Sequence, residues 1–207
     1  IGTVDALERL EATLATMALL QRFRGHFYNW YDTRDLRPLD PRYVSSVDSG
    51  NLAAHLVTAA NAALEWPEAP VTPARFAAGA RDALDLAREA LHVIPAPVRT
   101  GSGLWQQFVA EIDRIAGMLD ETALPRAGSP PLLHDLERHA ATLADIARTL
   151  ASENDDGPHG DLLFWADATQ RSIESWRRDS ARTHATDDSL RARLRTVAET
   201  MRTMAYG

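Results

Sequence analysis

The sequence predicts an all-α fold. Apolar residues recur at helical spacing in seven segments, clusters of Gly, Pro, Asn, Asp and Ser part those segments, and no segment alternates like a strand. Val4, Leu7, Leu10, Leu14 and Met17 mark one face of a first helix that runs to about Gln21, with Thr3 placed to cap its first turn. From Phe23 to Val47 the pattern breaks down. Aromatics, Asn29, Pro38 and Pro41 crowd together, and each proline disfavours helix at the residue before it, so this stretch reads as a long structured loop.

Asp48 and Ser49 are placed to cap a second helix from about Gly50 to Glu65, with Leu52, Leu56, Ala59, Ala60 and Ala63 on its apolar side and Pro67 and Pro70 ending it. Thr72-Pro73 starts a third, because the first turn has no use for the donor that proline lacks; Phe76, Ala80, Leu84, Ala87 and Leu91 give its face. Four more helices follow over residues 104–119, 132–150, 162–176 and 190–204, with breaks at 100–103, 125–131, 154–160 and 183–188. Residues 152–160 are the most linker-like. Short breaks predict antiparallel neighbours, as in a bundle or a toroid of helical hairpins, and no repeat of fixed length points to a solenoid.

A chain of 207 residues buries roughly 70% of its unfolded surface, enough for a real core. The hydrophobic fraction of 45% and charged fraction of 25% are those of a soluble globular domain. With 29 acidic against 22 basic residues the net charge is -7, which disfavours nucleic acid as a partner. Most arginines, among them Arg191, Arg193, Arg195 and Arg202, sit beside Asp and Glu in amphipathic patterns and read as a solvated face. The absence of cysteine excludes disulfides and thiolate metal sites. No apolar run approaches the roughly 20 residues of a spanning helix, so no membrane insertion by this segment is expected, and no signal peptide is recognisable. A first residue of Ile rather than Met suggests a piece of a longer chain.

The unusual stretch runs from Gly25 to Asn51, GHFYNWYDTRDLRPLDPRYVSSVDSGN. Phe27, Tyr28, Trp30, Tyr31 and Tyr43 are interleaved there with His26, Asn29, Asp32, Asp48, Ser49 and Asn51. Flat rings beside short polar groups suit sugars: a pyranose offers a C–H face to stack on an aromatic, and its hydroxyls need paired donors and acceptors. The same residues also serve as packed rings and turn formers, a reading that residue types alone do not remove.

In wording, the segment from Arg22 to Leu52 resembles the cyclic β-1,2-glucan synthases. Those are large inner-membrane enzymes with a glycosyltransferase portion, a glycoamylase-like middle portion and a phosphorylase-like C-terminal portion. The resemblance implies a single helical domain over residues 1–207, or the N-terminal half of a glycoamylase-like α/α toroid whose inner helices and loops line a glucan cleft. It implies a transglycosylase or hydrolase context, β-1,2-glucan and the remaining domains of a larger synthase as partners, and the cytoplasmic face of a bacterial inner membrane. Asn29, Trp30, Tyr31, Asp32, Asp48, Ser49, Gly50 and Asn51 fall on its most recognisable words and are the candidate substrate contacts. The rest of the chain matches in pattern more than in wording, and the chain stops about where relatives continue into the block expected to hold the catalytic carboxylates.

Asp32 and Asp48 have the chemistry of a glycosidase pair. A helix cap at Asp48 and a loop-holding Asx turn at Asp32 account for them more simply, so no catalytic residue is assigned. His134 and His139, five apart, project about 140° from each other on a helix and make no metal site; His55 reads as a hydrogen-bonded packing residue. Trp105, Trp165, Trp176, Phe108 and Phe164 recur in helical patterns and read as core. No phosphate loop, nucleophile elbow or zincin pattern occurs, and no cofactor is expected. Two rivals stand beside the glucan-binding reading: a structural module that docks the catalytic portions of a synthase, and a stand-alone helical binding protein.

Overall fold

The computed structural model describes residues 1–68, 72–95, 103–120, 130–153, 157–182 and 184–206. Among them are seven α-helices: α1 (Thr3–Leu19), α2 (Ser46–Glu65), α3 (Pro73–Val93), α4 (Gly103–Met118), α5 (Pro130–Glu153), α6 (Gly157–Ser180) and α7 (His184–Tyr206). A 3-10 turn, Trp66–Glu68, follows α2. The all-α expectation holds. The only strands among the described residues are β1 (Arg22–Phe23) and β2 (His26–Phe27), two residues each, in the loop between α1 and α2.

Several helix starts lie earlier than the break signals suggested. Thr3 is the first helical residue of α1. α6 includes residues 157–160, and α7 includes residues 184–188, both expected as breaks. The physical reason is common to them: Gly, Pro and Asp at these positions occupy first turns. Pro130 and Pro158 fall where a backbone donor has no intrahelical partner, and Asp187 lies near the positive end of the helix dipole. Thr72-Pro73 does open α3, with Thr72 extended at φ -93°, ψ 141° and Pro in the first turn. The expected breaks at 100–103 and 125–131 fall mostly outside the described residues, as do 154–156 and 183.

The chain divides into two compact units. One, Ile1–Gly2 with Val71–Ala181, holds α3 to α6; the other, Thr3–Pro70 with Arg182–Gly207, holds α1, α2, α7 and the long loop. In the first, α6 packs on α3 and on α5, and α5 packs on α4. Leu84, Trp105, Phe108, Ile112, Leu136, Leu143, Ile173 and Trp176 fill its core, and Phe76 stacks on Trp176 with rings 5.6 Å apart and nearly parallel. Trp105, Phe108 and Trp176 are core residues as their spacing predicted. Phe164 is not: it is 56% exposed, lying edge-on to half-buried Trp165 on the outer side of α6. Helical spacing gives a face, and a residue at its margin is decided by which neighbour packs there.

His134 is exposed, whereas His139 is buried and holds Glu111 Oε2 at 2.7 Å from its Nδ1, joining α5 to α4. Glu137 pairs with Arg177 at 2.9 Å, joining α5 to α6.

In the second unit α7 packs on both α2 and α1. Its core is Leu7, Leu14, Leu56, Ala60, Ala63, Leu190, Leu194, Val197, Ala198 and Met201. Ala60, Ala63 and Ala198 are short at this contact, which lets the helices approach closely. Around it, Arg193 clasps Glu11 through Nε at 2.9 Å and Nη2 at 2.6 Å, and Arg202 donates to Asn61 Oδ1 at 2.8 Å. The Arg193 hydrogen bonds hold the Glu11 carboxyl below its usual range. Arginines that read as a solvated face thus also tie helix to helix.

Phe108 is fully buried, so Phe108→Ala opens a cavity that the surrounding helices fill only in part. The expected loss is about 3–5 kcal/mol, read as a lower urea midpoint at unchanged slope. A shift under about 1 kcal/mol would place Phe108 outside the core that organises α3 to α6.

Candidate functional site

The loop that the sequence singled out is ordered from its first residues. Arg22 pairs with Phe27 and Phe23 with His26, and the two residues between, Arg24 and Gly25, have φ of 50° and 86°. Positive φ at both positions is what a two-residue turn of the right hand requires, and Gly25 adopts it without steric cost. Arg22 stacks over the Phe27 ring at 4.3 Å, and Arg24 over Phe23 at 5.4 Å.

Residues 31–38 form a second closed turn. Tyr31 and Pro38 bridge, the Asp32 N–H donates to the Arg37 carbonyl at 2.9 Å, and Leu36 N–H donates back to the Asp32 carbonyl at 2.8 Å. Leu36 is left-handed at φ 62°, a conformation that branched side chains resist. Asp32 secures the turn with its side chain: Oδ1 accepts from the Arg34 N–H at 2.9 Å and Oδ2 from Arg34 Nη2 at 2.7 Å. The Arg34 side chain, then the Arg34 backbone, lower the Asp32 carboxyl below its ordinary value of 3.8. This is the Asx-type role that the residue pattern favoured.

Ser45 caps α2. It is extended at φ -89°, ψ 127°, and its Oγ accepts from the Asp48 N–H. Asp48 and Ser49 are therefore inside the first turns of α2, which begins at Ser46, and are not its cap. Ser45, Ser46, Asp48 and Ser49 are all competent caps; the loop's attachment decides among them. That attachment is Asn29. Its Nδ2 donates to Asp48 Oδ2 at 2.9 Å, its Oδ1 accepts from the Ser45 N–H at 3.0 Å, and its own N–H donates to the Tyr43 carbonyl at 2.9 Å.

Two adjoining hollows lie on this part of the second unit. The first, about 360 Å³, is walled by Phe27, Tyr28, Asn29, Trp30, Asp48, Ser49 and Leu52. Trp30 is 62% exposed there, its backbone held by a hydrogen bond from Leu39 N–H at 3.0 Å. The second, about 330 Å³, lies between the hairpin turn, the first turns of α2 and the end of α7, where Met204, Ala205 and Tyr206 line it. Phe27, Ser49 and Leu52 border both.

Of the eight candidate contacts, Asn29, Trp30, Asp48 and Ser49 thus meet in the first hollow, while Gly50 lines the second together with Ser49. Tyr31, Asp32 and Asn51 line neither. Tyr31 is a strut, donating from Oη to the Gln21 carbonyl at 2.7 Å and accepting from the Tyr28 N–H at 2.9 Å. Asn51 is exposed, with its carbonyl 2.7 Å from Nδ1 of the exposed His55. Phe27 and Tyr28 belong to the aromatic run and line the first hollow, though they are not among the eight candidate contacts. Tyr206 carried no signal, because nothing local relates it to residues 24–53. Among the described residues no three His, Cys, Asp or Glu are gathered closely enough to hold a metal ion, and no helix is long and apolar enough to cross a membrane.

No family model matches the chain. It is, however, 33% identical over 217 aligned residues to the cyclic β-(1,2)-glucan synthase NdvB of Rhizobium meliloti (strain 1021), an alignment that takes in all of this chain. The chain matches a segment of a cyclic β-(1,2)-glucan synthase. It spans 7% of the length of that synthase. The likeness carried by residues 22–52 therefore extends over the whole chain, α3 to α7 included.

Replacing Arg34 by Ala should raise the Asp32 pKa toward the ordinary range, followed by carboxyl NMR. Because the folded pKa is the lowered one, the stabilisation this pair gives is complete above the unfolded value and fades as pH falls through the folded one. An Asp32 titration unmoved by Arg34→Ala would contradict the pairing. Asn29→Ala should strip amide exchange protection from Ser45 while leaving the α4 and α5 amides unchanged; equal protection at Ser45 would show that the clamp does not hold the loop.

Proposed function

We propose that this chain contributes glucan binding to a β-(1,2)-glucan-acting enzyme of the cyclic glucan synthase type, and that the first hollow is where a sugar sits. The observation that carries the reading is the exposed Trp30 beside Asn29, Asp48 and Ser49, in a chain similar along its whole length to such a synthase. The Trp30 ring supplies a face for a pyranose, and Ser49 and Asp48 supply hydroxyl partners at its edge. Asn29 spends its amide on the loop and positions Asp48. In this reading the chain works within a larger membrane-bound synthase on the cytoplasmic side, its helices forming part of an α/α toroid that other portions complete, and the bond-making carboxylates come from those portions.

Docking of the catalytic portions is the second reading, favoured by the exposure of Leu19, Phe23, Tyr43 and Val47 in the same unit.

Titration of linear β-1,2-linked gluco-oligosaccharides, read by tryptophan fluorescence and calorimetry, separates the two. Saturable binding that weakens about tenfold in Trp30→Ala and recovers in part in Trp30→Tyr is expected for a stacking platform. Binding that ignores Trp30, or its absence from the folded chain, would favour docking.

A further inference from the structure

Neither hollow by itself is large. Each is near the lower end of the roughly 300–1,000 Å³ typical of small-molecule sites, enough for a short saccharide but not for a glucan chain. They adjoin, since Phe27, Ser49 and Leu52 wall both. The first offers Trp30 and Tyr28 as rings, with Asp48 as a polar acceptor. The second offers Tyr206, 80% exposed at the end of α7, with Arg24 and His26 as donors and Ser46 as a hydroxyl. Gly50 sits in the second hollow, and a Cβ built on it meets nothing within 4 Å, so the glycine leaves this space open.

We propose that the two hollows are one groove that binds an extended oligosaccharide, with Trp30 stacking a sugar in the first hollow and Tyr206 stacking a later one in the second. This rests on the glucan-binding reading of the first hollow and adds its direction and extent. Rings in both halves with short polar groups between them repeat the pattern that a chain of pyranoses requires, alternating C–H faces and hydroxyl edges. The length of such a groove makes affinity depend on the number of sugar units.

The test is a calorimetric titration of linear β-1,2-linked glucose oligomers, from disaccharide to hexasaccharide, into the wild-type chain, Gly50→Leu and Tyr206→Ala. Gly50→Leu places a bulky side chain at the second hollow from an exposed helical position where a Cβ meets nothing within 4 Å, and Tyr206→Ala removes its ring at an exposed helix end. Affinity should rise with length in the wild type. Both variants should weaken the longer oligomers by about tenfold and leave the disaccharide unchanged. Affinity independent of length, or longer oligomers indifferent to both variants, overturns the groove. If disaccharide binding still depends on Trp30 in that case, the first hollow stands and only its extension fails. If Trp30→Ala leaves every oligomer unaffected, the reading of the first hollow falls and the groove falls with it.

Discussion

The candidate site depends on the side chain of Asn29, which ties the long loop of the second unit to the start of α2. The loop of more than twenty residues between α1 and α2 has only a two-residue hairpin and one bridge for regular pairing, so most of its backbone groups must find partners elsewhere. Asn29 supplies them by using both ends of its amide on the first turn of α2, toward Asp48 Oδ2 and from the Ser45 N–H, and its backbone on Tyr43. It thereby ties together the loop's middle, the loop's end and the helix start. Trp30 is the next residue, so its ring is presented beside this anchor. Around this point lie a left-handed Leu36, a positive-φ hairpin turn and an Asx turn at Asp32. The left-handed backbone of Arg24 and Leu36 persists where the surroundings over-determine it, and the hairpin pairing and the Asp32 turn do so.

The aromatic and acidic residues of the motif divide into two sets. Tyr31 and Asp32 spend their polar atoms inside the loop, whereas Trp30, Asp48 and Ser49 line the first hollow. Asp32 in a charge-assisted Asx turn is committed to structure, since an acid or base in a glycosidic step must be able to reach a bound sugar. The chain matches a segment that makes up 7% of the length of the synthase NdvB.

In the first unit α6 packs on α3 and α5, and in the second α7 packs on α1 and α2. In the second the consequence reaches the site. α7 packs on α2 through alanines, and its C-terminal residues Met204, Ala205 and Tyr206 thereby become a wall beside α2 and the hairpin turn. The far end of the chain completes a hollow begun by residues 24–53.

The sequence by itself determined the helices and their apolar faces, because a period of 3.6 residues and the preferences of Gly, Pro and Thr-Pro act locally. It also determined that residues 25–51 are the chemically unusual stretch and that Asp32 is suited to an Asx turn. Which of Ser45, Asp48 and Ser49 caps α2 was left to the tertiary structure, since their local preferences are nearly equal and Asn29, sixteen residues before Ser45, breaks the tie. The exposure of Phe164, the burial of His139 against Glu111 and the arrival of Tyr206 beside Gly50 were likewise decided only by packing. Each depends on a contact between residues far apart in the chain, and periodicity within one helix carries no information about its neighbour.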